Sequence, residues 1–154
     1  KTILFGVSYA LLDLAKQFPQ KLKHTVIIET GGTKGMGKNI TKEELHKILK
    51  KSFSLKKIHS EYGMTELLSQ SYSNGDNIFQ SPAWKRILIR DINDPLTVIG
   101  NNKTGGINII DLANVYSCPF IATQDLGKTY EDGSFSLLGR FDNSDVRGCN
   151  LLIE

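Results

Sequence analysis

Cysteine is scarce in this chain of 154 residues: Cys118 and Cys149 are its only two. Without CxxC or Cys/His spacing they exclude a disulfide scaffold and a structural zinc site, and a reducing, cytoplasmic compartment is expected. Cys118, beside Pro119 in apolar surroundings, is expected as a small core residue. The three histidines, His24, His46 and His59, do not fall at ligand spacing, and neither HExxH nor GxSxG occurs. A zinc hydrolase or a serine triad therefore has no support. Neither sign of charge is in excess, since 19 Lys+Arg face 16 Asp+Glu. With 40% hydrophobic residues the composition excludes disorder and collagen-like fibres, and the length suffices for one globular core. Long apolar runs are also missing. Residues 3–12 come nearest, but Asp13 and Lys16 follow, no small-residue cleavage site appears, and a membrane span needs about 20 apolar residues. Neither a signal peptide nor a span is expected. A chain that starts on Lys1 rather than Met is expected to be part of a longer protein.

What is present alternates. Residues 2–7 read as a short buried strand, and Ser8 is placed to cap a helix carrying Leu11, Leu12, Leu14, Ala15 and Phe18 before Pro19 stops it. Residues 25–29 are a second strand. After a glycine-crowded loop, Thr41 with Glu44 forms a capping box ahead of Leu45, Ile48, Leu49 and Phe53. Residues 57–60 are a third strand candidate. This order predicts an α/β subdomain with a parallel sheet over residues 1–73. Beyond it, residues 84–90, 106–112 and 134–138 read as strands between Asn, Gly, Pro and Asp clusters, with Asp132-Gly133 as a hairpin signal. Residues 74–154 are thus expected to form a smaller β-rich, barrel-like subdomain.

Three clusters carry chemistry. Residues 32–39 nearly match the phosphate-binding pattern GxxxxGK[ST]. Asn39 stands where a hydroxyl should hold magnesium, and the helix opens only after Thr41, so the mechanism of that loop is not met. A glycine-rich loop that lets backbone approach a ligand remains. The second cluster, residues 60–66, joins Tyr62, Gly63, Thr65 and Glu66 at the end of a strand, where ligands gather in parallel sheets. A strand-to-helix turn capped by Thr65 is its plainer explanation. The third comprises Gln124-Asp125-Leu126-Gly127, Gly133 and Gly139-Arg140-Phe141-Asp142, and its plainer explanation is a hairpin with a surface Asp–Arg pair. Eight lysines between Lys34 and Lys57 face Glu43 and Glu44. They would suit phosphate or nucleic acid, but no interleaved aromatic offers a stacking platform, and a solvated helix face accounts for them.

In this order the clusters resemble the adenylate-forming superfamily of acyl-CoA synthetases and peptide-synthetase adenylation domains. Residues 62–66 look like its YGxTE motif, residues 124–142 like its TGDLG…G…GRxD series, and Glu29-Thr30-Gly31-Gly32 like its adenine-side loop. The stretches GGTKG, EYGMTEL and the terminal Asp145-Val146-Arg147-Gly148-Cys149 most resemble the LuxE-type acyl-protein synthetases, over residues 25–154. The resemblance implies part of an adenylate-forming fold that uses ATP and Mg²⁺ to turn a fatty acid into acyl-AMP. The acyl group would then pass to Cys149 for collection by a partner acyl reductase. It implies further that Gly31, Gly32, Tyr62 and Gly63 flank the adenine, with Tyr62 stacking on it. Thr65 would bond the α-phosphate, Glu66 would hold Mg²⁺, and Asp125 with Arg140 would engage the ribose. The nucleotide would lie between the two halves. Gln124 departs from the usual Gly, and the superfamily's triphosphate loop and C-terminal lysine domain are not in the sequence, so this piece alone is expected to be inactive. A truncated acyl- or aryl-CoA ligase and a non-catalytic nucleotide- or RNA-binding module are the other two readings. The favoured one includes no nucleic acid.

Overall fold

The computed structural model describes residues 1–31 and 40–141. They divide into two compact units, Lys1–Met64 with Gln70–Phe79, and Thr65–Ser69 with the chain from Gln80 onward.

The first unit has the expected α/β alternation: β1 (Thr2–Val7), α1 (Ser8–Gln17), β2 (Thr25–Thr30), α2 (Lys42–Phe53), β3 (His59–Tyr62), β4 (Ser71–Ser73) and β5 (Ile78–Gln80). Strand β1 pairs with β2 and β2 with β3 in parallel, whereas β4 returns antiparallel to β3. Leu11 and Ala15 of α1 and Leu45, Leu49 and Phe53 of α2 close on Ile27 and Ile58, which makes the core of this unit. Helix α2 begins as its sequence dictates. Thr41 Oγ1 accepts from the Glu44 amide at 3.2 Å, and Glu44 Oε2 accepts from the Thr41 amide at 2.9 Å. The helix ends where Ser54 turns left-handed at φ 55°. Lys47 and Lys51 lie on its exposed face, as a solvated helix face requires, but Lys42 turns toward Glu29.

Two expectations fail here. Strand β1 is not buried: it ends the strand order, and alternation leaves Ile3, Phe5 and Val7 exposed on the face opposite the helices. Ser8 is not a cap either. The N-cap is Val7, which offers no side-chain bond, and Ser8 is the first helical residue, its hydroxyl 2.9 Å from both Glu29 Oε2 and the Gly31 carbonyl.

The second unit is antiparallel throughout: β6 (Lys85–Arg90), β7 (Val98–Ile99), β8 (Gly105–Asp111), a single 3-10 turn (Leu112–Asn114), β9 (Phe120–Thr129) and β10 (Phe135–Arg140). Leu67, Ile87, Ile89, Ile107, Ile109 and Phe135 are among its buried apolar residues. The strand order β10-β9-β8-β6-β7 is open, so the barrel-like expectation is corrected to a sheet whose β7 and β10 do not meet. The Asp132-Gly133 signal does mark the β9–β10 hairpin, with Gly133 at φ 80° and the Tyr130 amide bonded to the Ser134 carbonyl at 2.9 Å. Cys118 is exposed rather than core, on the loop between the 3-10 turn and β9.

Candidate functional site

In the first unit the motif residues follow the carboxyl ends of β2 and β3. Tyr62 is only 8% exposed and meets Phe79 edge-on, with ring centroids 6.2 Å apart. Gly63 has no room for a side chain: a Cβ there would stand 2.8 Å from Gln70 Cγ. Gly31 sits at φ 80° with its carbonyl taken by Ser8. Gly32 and the whole 32–39 loop lie outside the described residues, as does Cys149. Beside this edge, Glu61 accepts from Thr30 Oγ1 at 2.9 Å and from Tyr72 Oη at 2.8 Å.

Underneath is a charged cluster that sequence reasoning missed. Glu29, 1% exposed, holds Oε1 at 3.2 Å from Lys42 Nζ and at 3.4 Å from His46 Nε2, which lies 3.2 Å from Ser60 Oγ. Burial opposes ionisation of Glu29, but His46, the Lys42 charge, Ser60 and Ser8 together outweigh it and hold the carboxyl at about 2. Residues from β2, α1, α2 and β3 meet there, at separations no local motif records.

In the second unit, Asp125 and Arg140 come together. They face each other across β9 and β10, with Arg140 Nε 3.3 Å from Asp125 Oδ1, and the arginine is largely exposed. Two irregularities in the ladders aim them. Gly106 pairs with Leu126 but Asn108 pairs with Ala122, so residues 123–125 of β9 bulge opposite a single residue of β8. On β10 the register shifts between Leu137 and Gly139, and Gly139 adopts φ 144°, which a residue with a Cβ rarely takes. Such bulges re-aim side chains, and this one takes Asp125 out of the pairing with β8 while it stays opposite Arg140 on β10.

Arg90 pins the bulge, a role invisible in the sequence. Its guanidinium donates to the Ile107 carbonyl at 2.9 Å, to Asn108 Oδ1 at 2.7 Å and to the Thr123 carbonyl, and it covers the Phe141 ring at 5.5 Å. Gly106 leaves it space, because a Cβ there would come within 2.6 Å of Arg90 Cζ. Thr123 Oγ1 then accepts from the Asp125 amide at 3.0 Å.

Thr65 and Glu66 are both exposed on a turn, not on the helix that the plainer explanation required. Among the described residues no three His, Cys, Asp or Glu side chains gather as a metal-holding group. A lone exposed carboxylate such as Glu66 fits Mg²⁺ in its usual mode, with one or two protein carboxylates supplemented by water and phosphate oxygens. An open groove of about 530 Å³ lined by Ile87, Ile99, Asn101 and Tyr130 includes Gly133 of the third cluster but none of the side chains expected to touch nucleotide or metal. No helix among the described residues is long and apolar enough to cross a membrane.

No family model and no curated protein matches this sequence. Solved structures do match its fold. ATP-bound MatB from Rhodopseudomonas palustris superposes at a TM-score of 0.66 and 18% identity, over 90% of this chain and 31% of that one. The fold is shared with adenylate-forming ligases. A second of these, o-succinylbenzoate CoA synthetase (MenE) from Bacillus subtilis, matches at 0.64 and 20% identity over 91% of this chain and 31% of its own. The amide bond synthetase McbA from Marinactinospora thermotolerans matches at 0.62 and 14% identity, over 90% and 31%. The chain therefore spans about a third of the length of these ligases.

Proposed function

We propose that this chain is part of an ATP-dependent, AMP-forming ligase that activates a carboxylic acid. The observation that carries the reading is the Asp125–Arg140 pair, lifted by two bulges on a fold shared with an ATP-bound ligase. In the reaction a carboxylate oxygen attacks the α-phosphorus of ATP, the bond to pyrophosphate breaks, and acyl-AMP forms. Asp125 accepts hydrogen bonds from the ribose hydroxyls, and Arg140 holds that carboxylate in place. Thr65 donates its hydroxyl to an α-phosphate oxygen, and Glu66 would hold Mg²⁺. The metal supplies charge neutralisation as negative charge builds on the departing phosphates. Gly31, Gly63 and Tyr62 shape the adenine side, where the glycines keep the backbone open and the aromatic ring offers a face to a purine.

The complete protein that carries this chain is the material for the test. Carboxylate-dependent ATP–pyrophosphate exchange should fall by about 1.5–3 kcal/mol in Asp125→Ala, the scale of a hydrogen bond to a charged group. Glu66→Ala should fall comparably. Full exchange in both variants would remove the site.

The acyl acceptor is the finer question. The matched ligases include CoA and amide bond synthetases, which favours release to a small nucleophile. The terminal Asp145-Val146-Arg147-Gly148-Cys149 of the sequence supports the LuxE-type route, in which the Cys149 sulfur attacks the acyl carbon, AMP leaves, and the thiol proton passes to solvent. We propose this route for a fatty acid delivered onward to an acyl reductase. Incubation with ATP and labelled fatty acid should give a hydroxylamine-sensitive label on the protein that Cys149→Ser abolishes. A thioester that survives Cys149→Ser, or CoA-dependent release without protein label, would assign the chain to the CoA ligases.

A further inference from the structure

The turn that bears Thr65 and Glu66 has little of its own to hold it. Residues 64–70 contain no helix or strand, and Thr65, Glu66 and Leu68 are exposed. Yet three buried side chains of the same unit, joined by the exposed Trp84, take hold of its backbone and of Ser69. Asp111, 0% exposed at the end of β8, accepts at Oδ2 from the amides of Leu68 at 3.1 Å and Ser69 at 2.8 Å. Its Oδ1 accepts from Ser69 Oγ at 2.7 Å and from the Ala113 amide at 3.2 Å. Lys85 Nζ donates to the Ser69 carbonyl at 2.9 Å, and Trp84 Nε1 donates to Ser69 Oγ at 2.9 Å. Asn114, on the 3-10 turn after β8, uses both hydrogens of its amide nitrogen, one on the Glu66 carbonyl at 2.8 Å and one on the Cys118 carbonyl at 3.1 Å.

We propose that Asp111 and Asn114 are positioning residues for the reaction: they fix the backbone of Thr65–Ser69 so that the Thr65 hydroxyl and Glu66 carboxylate stand preorganised toward the phosphates. This rests on the function proposed above and adds residues that no motif contains. Every bond in the clamp ends on backbone or on Ser69, and none ends on the Thr65 or Glu66 side chain. The two side chains stay available while their carrier is immobilised, which is the arrangement that saves reorganisation when charge develops. The ionised Asp111 carboxylate makes its bonds to these neutral donors charge-assisted, and it is the strongest single element of the clamp. Burial opposes its ionisation, but the Ser69, Ala113 and Leu68 donors outweigh it and keep Asp111 below the usual carboxylate range.

The test uses pyrophosphate exchange in the complete protein, together with amide hydrogen exchange at Leu68 and Ser69. Asp111→Asn should speed exchange of those two amides at least tenfold and lower kcat about tenfold, with the KM for ATP within about twofold. Combined with Glu66→Ala it should add less than about twofold, because a misplaced Glu66 is already lost. Asn114→Ala, which removes two bonds and little volume, should reproduce the kcat loss if Asp111→Asn fails to fold. Wild-type kcat in Asn114→Ala, or full additivity with Glu66→Ala, would show that the clamp serves stability alone and would overturn the proposal. If Glu66→Ala and Asp125→Ala are themselves harmless, or the wild type exchanges no pyrophosphate, the proposed function fails and this role falls with it.

Discussion

Glu29→Ala is expected to destabilise the first unit by about 3–5 kcal/mol, the scale for breaking a buried ion pair from one side. The carboxylate is the common partner of Lys42, His46 and Ser8, and its loss would leave their donors facing one another around a cavity. Glu29→Gln keeps the volume and an acceptor but removes the charge, so about 1.5–3 kcal/mol is expected. Because the folded carboxyl is held at about 2, below its ordinary 4.5, it favours the folded state fully above pH 4.5. That stabilisation, roughly 3 kcal/mol, is lost as the pH falls through that interval toward 2. Urea midpoints of wild type and Glu29→Ala should therefore converge between pH 6 and pH 2.5. Midpoints that fall in parallel would mean that the cluster carries no charge-dependent stability.

Gly105→Ala is the second substitution with a large expected effect, about 3 kcal/mol or more of destabilisation. A Cβ at Gly105 would stand 2.2 Å from the Arg90 carbonyl oxygen and 2.7 Å from Ile89 Cγ2, and backbone cannot yield as the end of a flexible side chain can. The β6–β8 ladder has to open at the point where Arg90 reaches across to the Thr123 carbonyl. Loss of the bulge that lifts Asp125 should accompany the loss of stability, so the variant is expected to lose pyrophosphate exchange even below its unfolding temperature. Gly100→Ala is the control. No atom lies within 4 Å of a Cβ built there, and a change within about 0.5 kcal/mol is expected. Equal unfolding midpoints for the two variants would contradict this account of the sheet.

The fold of the first unit was legible because its signals are local. Hydrophobic periodicity gave α1 and α2, β-branched runs gave β1 and β2, and Thr41 with Glu44 gave a helix start that the structure reproduces atom for atom. Motif order was enough to reach the adenylate-forming fold. Strand β9 was not legible. Its ten residues include Thr123, Gln124, Asp125 and Gly127, which break alternation because the strand bulges where Asp125 leaves the pairing with β8.

The sequence by itself determined the α/β alternation of the first unit and the start of α2, and it offered the candidate residues for nucleotide chemistry, since each reading depends on neighbours within a few positions. Only the tertiary structure decided which side chains hold them. Ser8 and His46 serve Glu29, Arg90 serves Asp125, and Asp111 serves the Thr65–Ser69 backbone across 42 or 43 positions of chain. Cys118 and β1 were misjudged as buried for the same reason. Burial is set by what packs over a residue from elsewhere in the chain, and neither composition nor periodicity carries that information.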